Sequence, residues 1–261
     1  MAPSHEDPDA PEETWVAVAD LHGHLAHFNA LLAHLDRTLG DSYRLCTLGD
    51  YVDNGPAVPA LLDWLIDLSR TRGDRFAPIV GNHDLALLRT LGWPHVEPDA
   101  RWWTQWRSNY WNPGLGTPAA YGASSFGEFV SRFPEPHHAL LRSLPRCHDT
   151  GRYLFVHAGA TRGPLAPQRE DLAQRVLPLE PLFLPPMIRD KMLARVDDAS
   201  WDRIVVSAHT GADRLGGPRF VSANRVCLAA DVDKGGALHA VVLPSRAWLS
   251  VDANLCVTEE R

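Results

Sequence analysis

Cysteine is scarce in this 261-residue chain. Its four cysteines, Cys46, Cys147, Cys227 and Cys256, lie far apart and form no CxxC pair. We interpret them as reduced thiols of a cytoplasmic protein rather than as disulfides. An excess of basic residues is also lacking, because the formal net charge is −7 at pH 7 with histidine counted as neutral. A nucleic-acid partner bound through a broad basic face is therefore not expected.

Long apolar runs are absent as well. No stretch reaches the roughly 18 residues that a helix needs to cross a bilayer, so no membrane partner is expected. The first 14 residues, MAPSHEDPDAPEET, are acidic and rich in proline and lack the apolar core of a signal peptide. We expect residues 1–14 to be a disordered lead and the protein to be cytoplasmic.

The rest of the chain has the composition of one globular domain, expected over residues 15–252, since 45% of the residues are hydrophobic. Strand and helix patterns alternate up to residue 91, which predicts parallel strands joined by helices in an α/β fold. The predicted strands are WVAVAD (15–20), YRLCTL (43–48) and FAPIV (76–80), and the predicted helices run over 28–39, from Pro56 to 72, and from residue 85.

Residues 92–150 interrupt this alternation and hold five of the nine tryptophans. We interpret them as a helical insert whose tryptophans mostly form a small core of their own, with one or two available to a substrate. Beyond the insert, closely spaced strands predict an antiparallel or mixed sheet. They are 153–157, 203–208, 225–231, 237–243 and 246–252, and a helical run is predicted near 187–196.

Polar motifs stand where five of the predicted strands end. They are DLHG (20–23), GDYVDNG (49–55), GNHD (81–84), HAG (157–159) and AHT (208–210). In open α/β sheets, ligands bind beyond the carboxyl ends of the strands. Imidazole and carboxylate together suit Mn, Fe or Zn, and the lack of cysteine in these motifs argues against a thiolate site.

Each motif alone has an ordinary explanation. Asn-Gly is first of all a turn signal, because both residues tolerate positive φ. Asn82 or Asp84 suits the N-cap of a helix, and His157 and His209 suit buried, hydrogen-bonded histidines. Five such motifs at successive strand ends, however, predict one shared metal centre.

In this order, the five motifs resemble those of the calcineurin-like metallophosphoesterases. They are most similar to the phosphoprotein phosphatase (PPP) family of serine/threonine phosphatases and its bacterial relatives, over about residues 15–245. Within that family, DNGPAVPALLDWLI and the tryptophan-rich insert resemble the Rhizobiales-like phosphatases. The resemblance implies a four-layer α/β/β/α sandwich with a two-metal site.

Carried over residue by residue, the resemblance implies two divalent ions (Mn, Fe or Zn, with Mn favoured). It also implies that a hydroxide bridging the metals attacks the phosphate directly. His83 would protonate the leaving oxygen, and Asp53 would bind the other ring nitrogen of His83. The six implied ligands are Asp20 and His22 on one metal, Asn82, His157 and His209 on the other, and Asp50 bridging both.

Two positions depart from the family pattern at the predicted substrate site. Asn54 stands where the family usually has an arginine that binds the phosphate. Arg189 resembles a second phosphate-binding arginine, although Met187 replaces the tryptophan of that motif. A solvated charge on a helix is the alternative interpretation of Arg189.

The resemblance implies hydrolysis of phosphomonoesters on a phosphorylated protein or peptide, and the Rhizobiales-like group favours phosphotyrosine. A phenol leaving group has a pKa of about 10 and needs less charge stabilisation than an alcohol, which suits a site lacking one arginine. The alternatives are a serine/threonine-specific phosphatase, a diadenosine tetraphosphate or nucleotide hydrolase, and a catalytically silent binding module. The last would be favoured by loss of a ligand or of His83, and none is lost.

Overall fold

A computed structural model describes most of the chain. The predicted disordered lead, residues 1–14, lies outside the described part except for its last two residues. Trp102, Trp106 and Trp111 of the insert also lie outside it. The described residues are 13–93, 95–101, 103–104, 116–173 and 185–260.

The described strands lie close to the predicted ones, with three short additions. The additions are β4, β7 and β11, which are three or four residues long and have partly or fully exposed side chains. In chain order the strands are β1 (Trp15–Val18), β2 (Arg44–Thr47), β3 (Phe76–Pro78), β4 (Cys147–Asp149), β5 (Tyr153–Val156), β6 (Ile204–Thr210), β7 (Arg219–Val221), β8 (Arg225–Ala229), β9 (Leu238–Leu243), β10 (Ala247–Val251) and β11 (Val257–Glu260).

These strands form two sheets. The first has the order β11-β10-β9-β1-β2-β3, in which β1, β2 and β3 are parallel and β9, β10 and β11 are antiparallel to their neighbours. The second has the order β4-β5-β6-β8-β7, with a parallel centre and antiparallel edges, so it is mixed. Strand β11 continues the first sheet beyond residue 252, where the sequence analysis placed the end of the domain.

Three helices begin at residues other than the predicted ones, and the first begins at Leu25 rather than residue 28. The second begins at Val58 rather than Pro56, and the third begins at Asn82 rather than residue 85. The helices are α1 (Leu25–Leu39), α2 (Val58–Arg72), α3 (Asn82–Leu91), α4 (Thr117–Ala120), α5 (Phe126–Arg132), α6 (Glu135–Ser143), α7 (Leu165–Ala173), α8 (Pro186–Arg189) and α9 (Ala212–Leu215), with 3₁₀ turns at Gly73–Arg75, Lys191–Arg195 and Val232–Lys234.

Alternate residues of the strands enter two different cores. Ala17 of β1 packs in one cluster with Phe155 and Val206 of the other sheet. Val16 and Val18, on the opposite face of β1, pack in the cluster that contains the apolar stripes of the helices. Because successive side chains of a strand point to opposite faces, each sheet is covered on both sides. This arrangement confirms the predicted α/β/β/α sandwich.

Trp103 shows how the described part of the insert packs. Its side chain is 8% exposed, and its ring lies 6.1 Å from that of Phe126 and 5.5 Å from that of Phe129. This tryptophan therefore belongs to an aromatic core of the insert, as the sequence analysis expected for most of the five.

We expect Trp103→Ala to lower the free energy of unfolding by about 3–5 kcal/mol, because a large buried ring is removed and a cavity remains. Chemical denaturation measures this loss, and KM for an aryl phosphate should change little. Trp64→Ala is the matched control, because Trp64 is 38% exposed on α2. A raised KM together with an unchanged unfolding free energy would instead place Trp103 at the substrate.

Candidate metal centre

The parallel arrangement of the strands brings the polar motifs together. β1 and β2 run parallel in one sheet, and β5 and β6 run parallel in the other. Their carboxyl ends therefore meet at one edge of the sandwich. The backbone amide of His209, the second-to-last residue of β6, donates to Asp20 Oδ1 at 3.1 Å, which joins the two sheets at this edge.

All six predicted ligands lie in one cluster, in which Asn82 is partly buried and the other five are buried. Its measured links are His22 Nε2 to Asp20 Oδ2 at 4.0 Å, His22 Nε2 to Asp50 Oδ2 at 3.8 Å, His157 Nε2 to Asp50 Oδ2 at 3.3 Å, and His157 Nε2 to Asn82 Oδ1 at 3.1 Å. Among the described residues, two groups have ligand atoms within 4.8 Å of one another: Asp20, Asp50, His157 and His209, and His22, Asp50 and His83. Asp50 belongs to both groups and so lies between them.

Backbone carbonyls fix the tautomers of the three histidine ligands. His22 Nδ1 lies 2.8 Å from the carbonyl of Val52, and His157 Nδ1 lies 2.6 Å from that of Leu48. A nitrogen that faces a carbonyl carries a proton, so Nε2 is the nitrogen of each ring that is left to bind a metal. His209 is reversed: its Nε2 donates to a carbonyl at 2.8 Å, which leaves the lone pair on Nδ1. Metal-binding histidines are held in this way.

The electrostatics of the cluster suit a bound cation. Burial raises the pKa of the Asp20 carboxyl. Burial opposes charge on the His157 ring, but the nearby carboxylates of Asp50 and Asp20 outweigh it and raise the pKa of His157 to about 10. Buried carboxylates therefore draw a proton onto this imidazole where a metal cation would otherwise balance them. The donor set thus fits a metal of the Mn, Fe or Zn type.

Unusual backbone conformations concentrate at the cluster. Eight non-glycine residues in the described part of the chain have positive φ, and five of them are at this site. Residues held in this region cost free energy and mark sites where geometry serves function. The five are His22, Asp50, Asp53, Asn54 and His209.

Glycines in the motifs allow the strand ends to approach closely. A Cβ at Gly49 would come within 2.5 Å of the backbone nitrogen of Gly81, and φ at Gly49 is +96°. A Cβ at Gly81 would overlap Oδ1 of Asp50. Gly49 and Gly81 are therefore required by the contact between the ends of β2 and β3.

Asp84 supports this contact, and the sequence analysis considered it only as a helix cap. Its Oδ2 accepts hydrogen bonds from the amides of Gly81 at 2.8 Å and Asp50 at 2.9 Å, and its Oδ1 accepts one from the amide of Tyr51 at 3.0 Å. Asp84 is fully buried, and burial together with the Asp50 charge raises its pKa to about 6. The only sequence signal was its place in GNHD.

Asp84→Asn should destabilise the protein by about 1–3 kcal/mol, because an amide group cannot accept all three hydrogen bonds and one buried donor stays unsatisfied. We also expect weaker metal binding, since Asp84 holds the backbone of Asp50. Calorimetry and metal titration measure the two effects. Asp67→Asn, at an exposed carboxylate on α2, is the control. Metal affinity equal to that of the wild type would show that Asp84 does not position Asp50.

The remaining predicted residues surround the cluster. His83 Nδ1 lies 3.1 Å from Asp53 Oδ2, and His83 Nε2 points inward, 3.8 Å from Asp50 Oδ2. Asn54 Nδ2 donates to Oδ2 of Asp233 at 3.2 Å, a partner that the sequence analysis missed. The side chain of Arg189 is exposed, whereas its backbone carbonyl accepts the hydrogen bond from His209.

The sandwich fold and its Asp/His cluster define a metal-binding phosphoester hydrolase. Residues 14–233 match the model of the calcineurin-like phosphoesterases. The chain therefore belongs to this family and is a metallophosphoesterase. None of the helices in the described residues is long and apolar enough to cross a membrane.

Known proteins with several activities are similar to this chain. A provisionally assigned diadenosine tetraphosphatase is 19% identical, with a TM-score of 0.58 over 92% of this chain and 93% of its own. A point mutant of a cold-active protein tyrosine phosphatase is 13% identical, with a TM-score of 0.51 over 96% of this chain and 81% of its own. Both show the fold alone.

A curated relative with a recorded activity matches part of the chain. The zinc-dependent endopolyphosphatase of Saccharomyces cerevisiae is 23% identical over 132 residues, which are 50% of this chain and 36% of that protein. The match thus spans about a third of the relative's length. The comparisons show the family and leave the substrate to be argued from the site.

Proposed function

We propose that this protein is a phosphatase of the Rhizobiales-like group that hydrolyses phosphomonoesters on proteins or peptides, with phosphotyrosine preferred. The observation that carries the proposal is the place of Asp50, which lies between two groups of ligand atoms. A carboxylate in that position suits a bridge between two divalent ions, of which Mn is favoured. No nucleic acid or membrane takes part in the proposed reaction.

The residues of the cluster divide into two ligand sets that share one carboxylate. When bound, the two ions would supply the positive charge that activates a water molecule and neutralises the phosphoryl oxygens. The protein holds the ligands in place through the carbonyls of Val52 and Leu48 and through Asp84. The proposed sets are Asp20, His22 and Asp50 for one ion and Asp50, Asn82, His157 and His209 for the other.

His83 is the proposed general acid. Burial opposes protonation of its ring, but the Asp50 charge and the hydrogen bond to Asp53 outweigh it and raise its pKa to about 9. A protonated ring, which the hydrogen bond to Asp53 favours, can donate its proton from Nε2 to the leaving oxygen. Asp53 fixes the ring orientation from the other side, at 3.1 Å from Nδ1.

The preference for an aryl phosphate rests on Asn54. Its side chain is neutral and hydrogen-bonded to Asp233, so it brings no positive charge to the phosphate. A phenol, with a pKa of about 10, leaves more readily than an alcohol and depends less on such a charge. Arg189 is the remaining proposed phosphate contact, from its exposed position beside His209.

Asn54→Arg should raise hydrolysis of phosphoserine peptides relative to phosphotyrosine peptides by about tenfold or more, since a charge-assisted hydrogen bond contributes about 1.5–3 kcal/mol. The ratio of the two kcat/KM values measures this change. Asn54→Gln is the matched control, because it lengthens the side chain without adding charge. An unchanged ratio in a variant that still binds metal, with a lowered melting temperature, would mean that Asn54 serves only the turn.

A dinucleoside polyphosphate is the second candidate substrate, and the positions of the lysines favour it. Lys191 and Lys234 are the only lysines in the chain. Lys191 follows Arg189 by two residues. Lys234 Nζ lies 3.6 Å from Asp231 Oδ1, and Asp231 Oδ2 accepts a hydrogen bond from the backbone amide of Ala212. Lysine binds phosphate as a point charge, and a polyphosphate offers several phosphates to such charges.

One assay panel separates the candidates. Phosphotyrosine peptides, phosphoserine and phosphothreonine peptides, and diadenosine tetraphosphate are compared by kcat/KM with Mn²⁺ present. We expect the highest value for phosphotyrosine. The highest value for the dinucleotide would support the second candidate, and the highest value for phosphoserine or phosphothreonine peptides would make the enzyme a serine/threonine phosphatase. Asp50→Asn, purified in parallel, controls for contaminating phosphatases.

A further inference from the structure

The tryptophan-rich insert contacts the turn that contains Asp53 (residues 49–55) through Thr117, the first residue of α4. Thr117 Oγ1 donates to Asp53 Oδ1 at 2.6 Å, and the Thr117 amide approaches the same oxygen at 3.2 Å. In return, the Asp53 amide donates to Thr117 Oγ1 at 3.0 Å. Both side chains are fully buried. The threonine hydroxyl is thus donor and acceptor to the same aspartate.

These bonds leave the second oxygen of Asp53 for the histidine. Asp53 Oδ2 lies 3.1 Å from His83 Nδ1, whereas Oδ1 receives the hydroxyl and amide of Thr117. Binding one oxygen fixes the plane of the carboxylate, and the plane sets where the other oxygen points. The backbone of Asp53 has φ +72°, a conformation that an aspartate holds only with support. The bond from its amide to Thr117 supplies part of that support.

The far end of α4 is also held in place. The hydroxyl of Tyr121, which follows α4 directly, lies 2.6 Å from His137 Nδ1, and His137 Nε2 lies 2.9 Å from Asp63 on α2. Since Nε2 faces a carboxylate and carries the proton, Nδ1 accepts from the tyrosine hydroxyl. Helix α4 is therefore attached to α2 at one end and to Asp53 at the other.

We propose that Thr117 is a positioning residue for proton delivery, acting on His83 through Asp53. The insert then contributes to the reaction itself. This inference rests on the proposed role of His83 as the general acid. Its physical content is that Oγ1 of Thr117 sets the direction of Asp53 Oδ2, which in turn sets the direction of the His83 ring.

The test is Thr117→Val, which keeps the shape of the side chain and removes its hydroxyl. A misdirected acid matters only when the leaving group needs a proton. We expect kcat/KM to fall by about 10–100-fold for phenyl phosphate, as for other changes behind a reacting group, and to change little for 2,4-dinitrophenyl phosphate. Thr117→Ser, which keeps the hydroxyl, should retain near wild-type values for both substrates.

Tyr121→Phe is the matched control, because it loosens the other end of α4 without touching Asp53. It should lower the melting temperature and leave the dependence on the leaving group unchanged. Equal losses for both substrates in Thr117→Val, or the same pattern in Tyr121→Phe, would overturn the proposal. If Thr117→Val does not fold, Thr117→Ala and Thr117→Cys remove the oxygen in smaller side chains and are judged by the same criterion.

The proposed function can fail separately. If His83→Gln shows equal losses for phenyl and dinitrophenyl phosphates, His83 is not the acid and the proposed mechanism is wrong. A second outcome is that His83→Gln lowers kcat/KM more for phenyl phosphate than for dinitrophenyl phosphate while Thr117→Val matches the wild type. In that case His83 is the general acid and the proposed role of Thr117 is wrong. Metal content, measured for each variant, separates both cases from loss of the metal centre.

Discussion

Asp50→Asn is expected to abolish metal binding and phosphoesterase activity together. Asp50 Oδ2 lies 3.8 Å from His22 Nε2 and 3.3 Å from His157 Nε2, between the two groups of ligand atoms. Replacing this carboxylate with an amide removes one negative charge, which the proposed site needs for binding both ions. The loss of activity should therefore exceed the roughly 10–100-fold loss that is typical when a residue hydrogen-bonded to a metal ligand is removed.

Elemental analysis of the purified variant and its kcat/KM for an aryl phosphate measure the two effects. Asp36→Asn is the control, because the Asp36 carboxylate is half exposed and pairs with Arg72 away from the site. Full activity of the wild type in the presence of chelator, with no transition metal bound, would contradict the metal centre as a whole.

His83→Ala should lower kcat by roughly 10²–10⁴-fold, the range for loss of a general acid, while the metal content changes little. The loss should shrink as the leaving group becomes more acidic, because such groups depart without a proton. His83 is suited to this role because its Nδ1 lies 3.1 Å from Asp53 Oδ2, and its Nε2 faces the cluster, 3.8 Å from Asp50 Oδ2.

A series of substituted phenyl phosphates measures this dependence. His34→Ala is the control for removal of a histidine, because His34 is a partly buried residue of α1 that pairs with Glu259. A constant loss across the series would show that His83 has another role, and a loss of metal would make it a ligand, since it lies within ligand distance of His22 and Asp50.

The periodic parts of the fold could be predicted from the sequence. The strands β1, β2 and β5 were predicted to within two residues, because their residues are buried on both faces and read as continuous apolar runs. The short edge strands β4 and β7 were missed, because three partly exposed residues carry no periodic signal. Helix α2 begins two residues after Pro56, in a turn whose geometry the proline alone does not determine.

The sequence by itself determined the ligand types and their order along the chain. Aspartate, asparagine and histidine at successive strand ends predicted a metal centre, because the carboxyl ends of parallel strands meet at one edge. The motifs also predicted which residues would gather there, and the structure brings the six predicted ligands, His83 and Asp53 to one place. Their roles remain predictions.

Only the tertiary structure decided which groups hold these residues. The tautomers of His22 and His157 depend on carbonyls at positions 52 and 48, and the backbone of Asp50 depends on Asp84, 34 residues away. Asn54 is hydrogen-bonded to Asp233, 179 residues later in the chain, and Asp53 is hydrogen-bonded to Thr117, 64 residues later. Such partners follow no period along the chain, because hydrogen bonds between distant loops depend on how the sheets and helices pack.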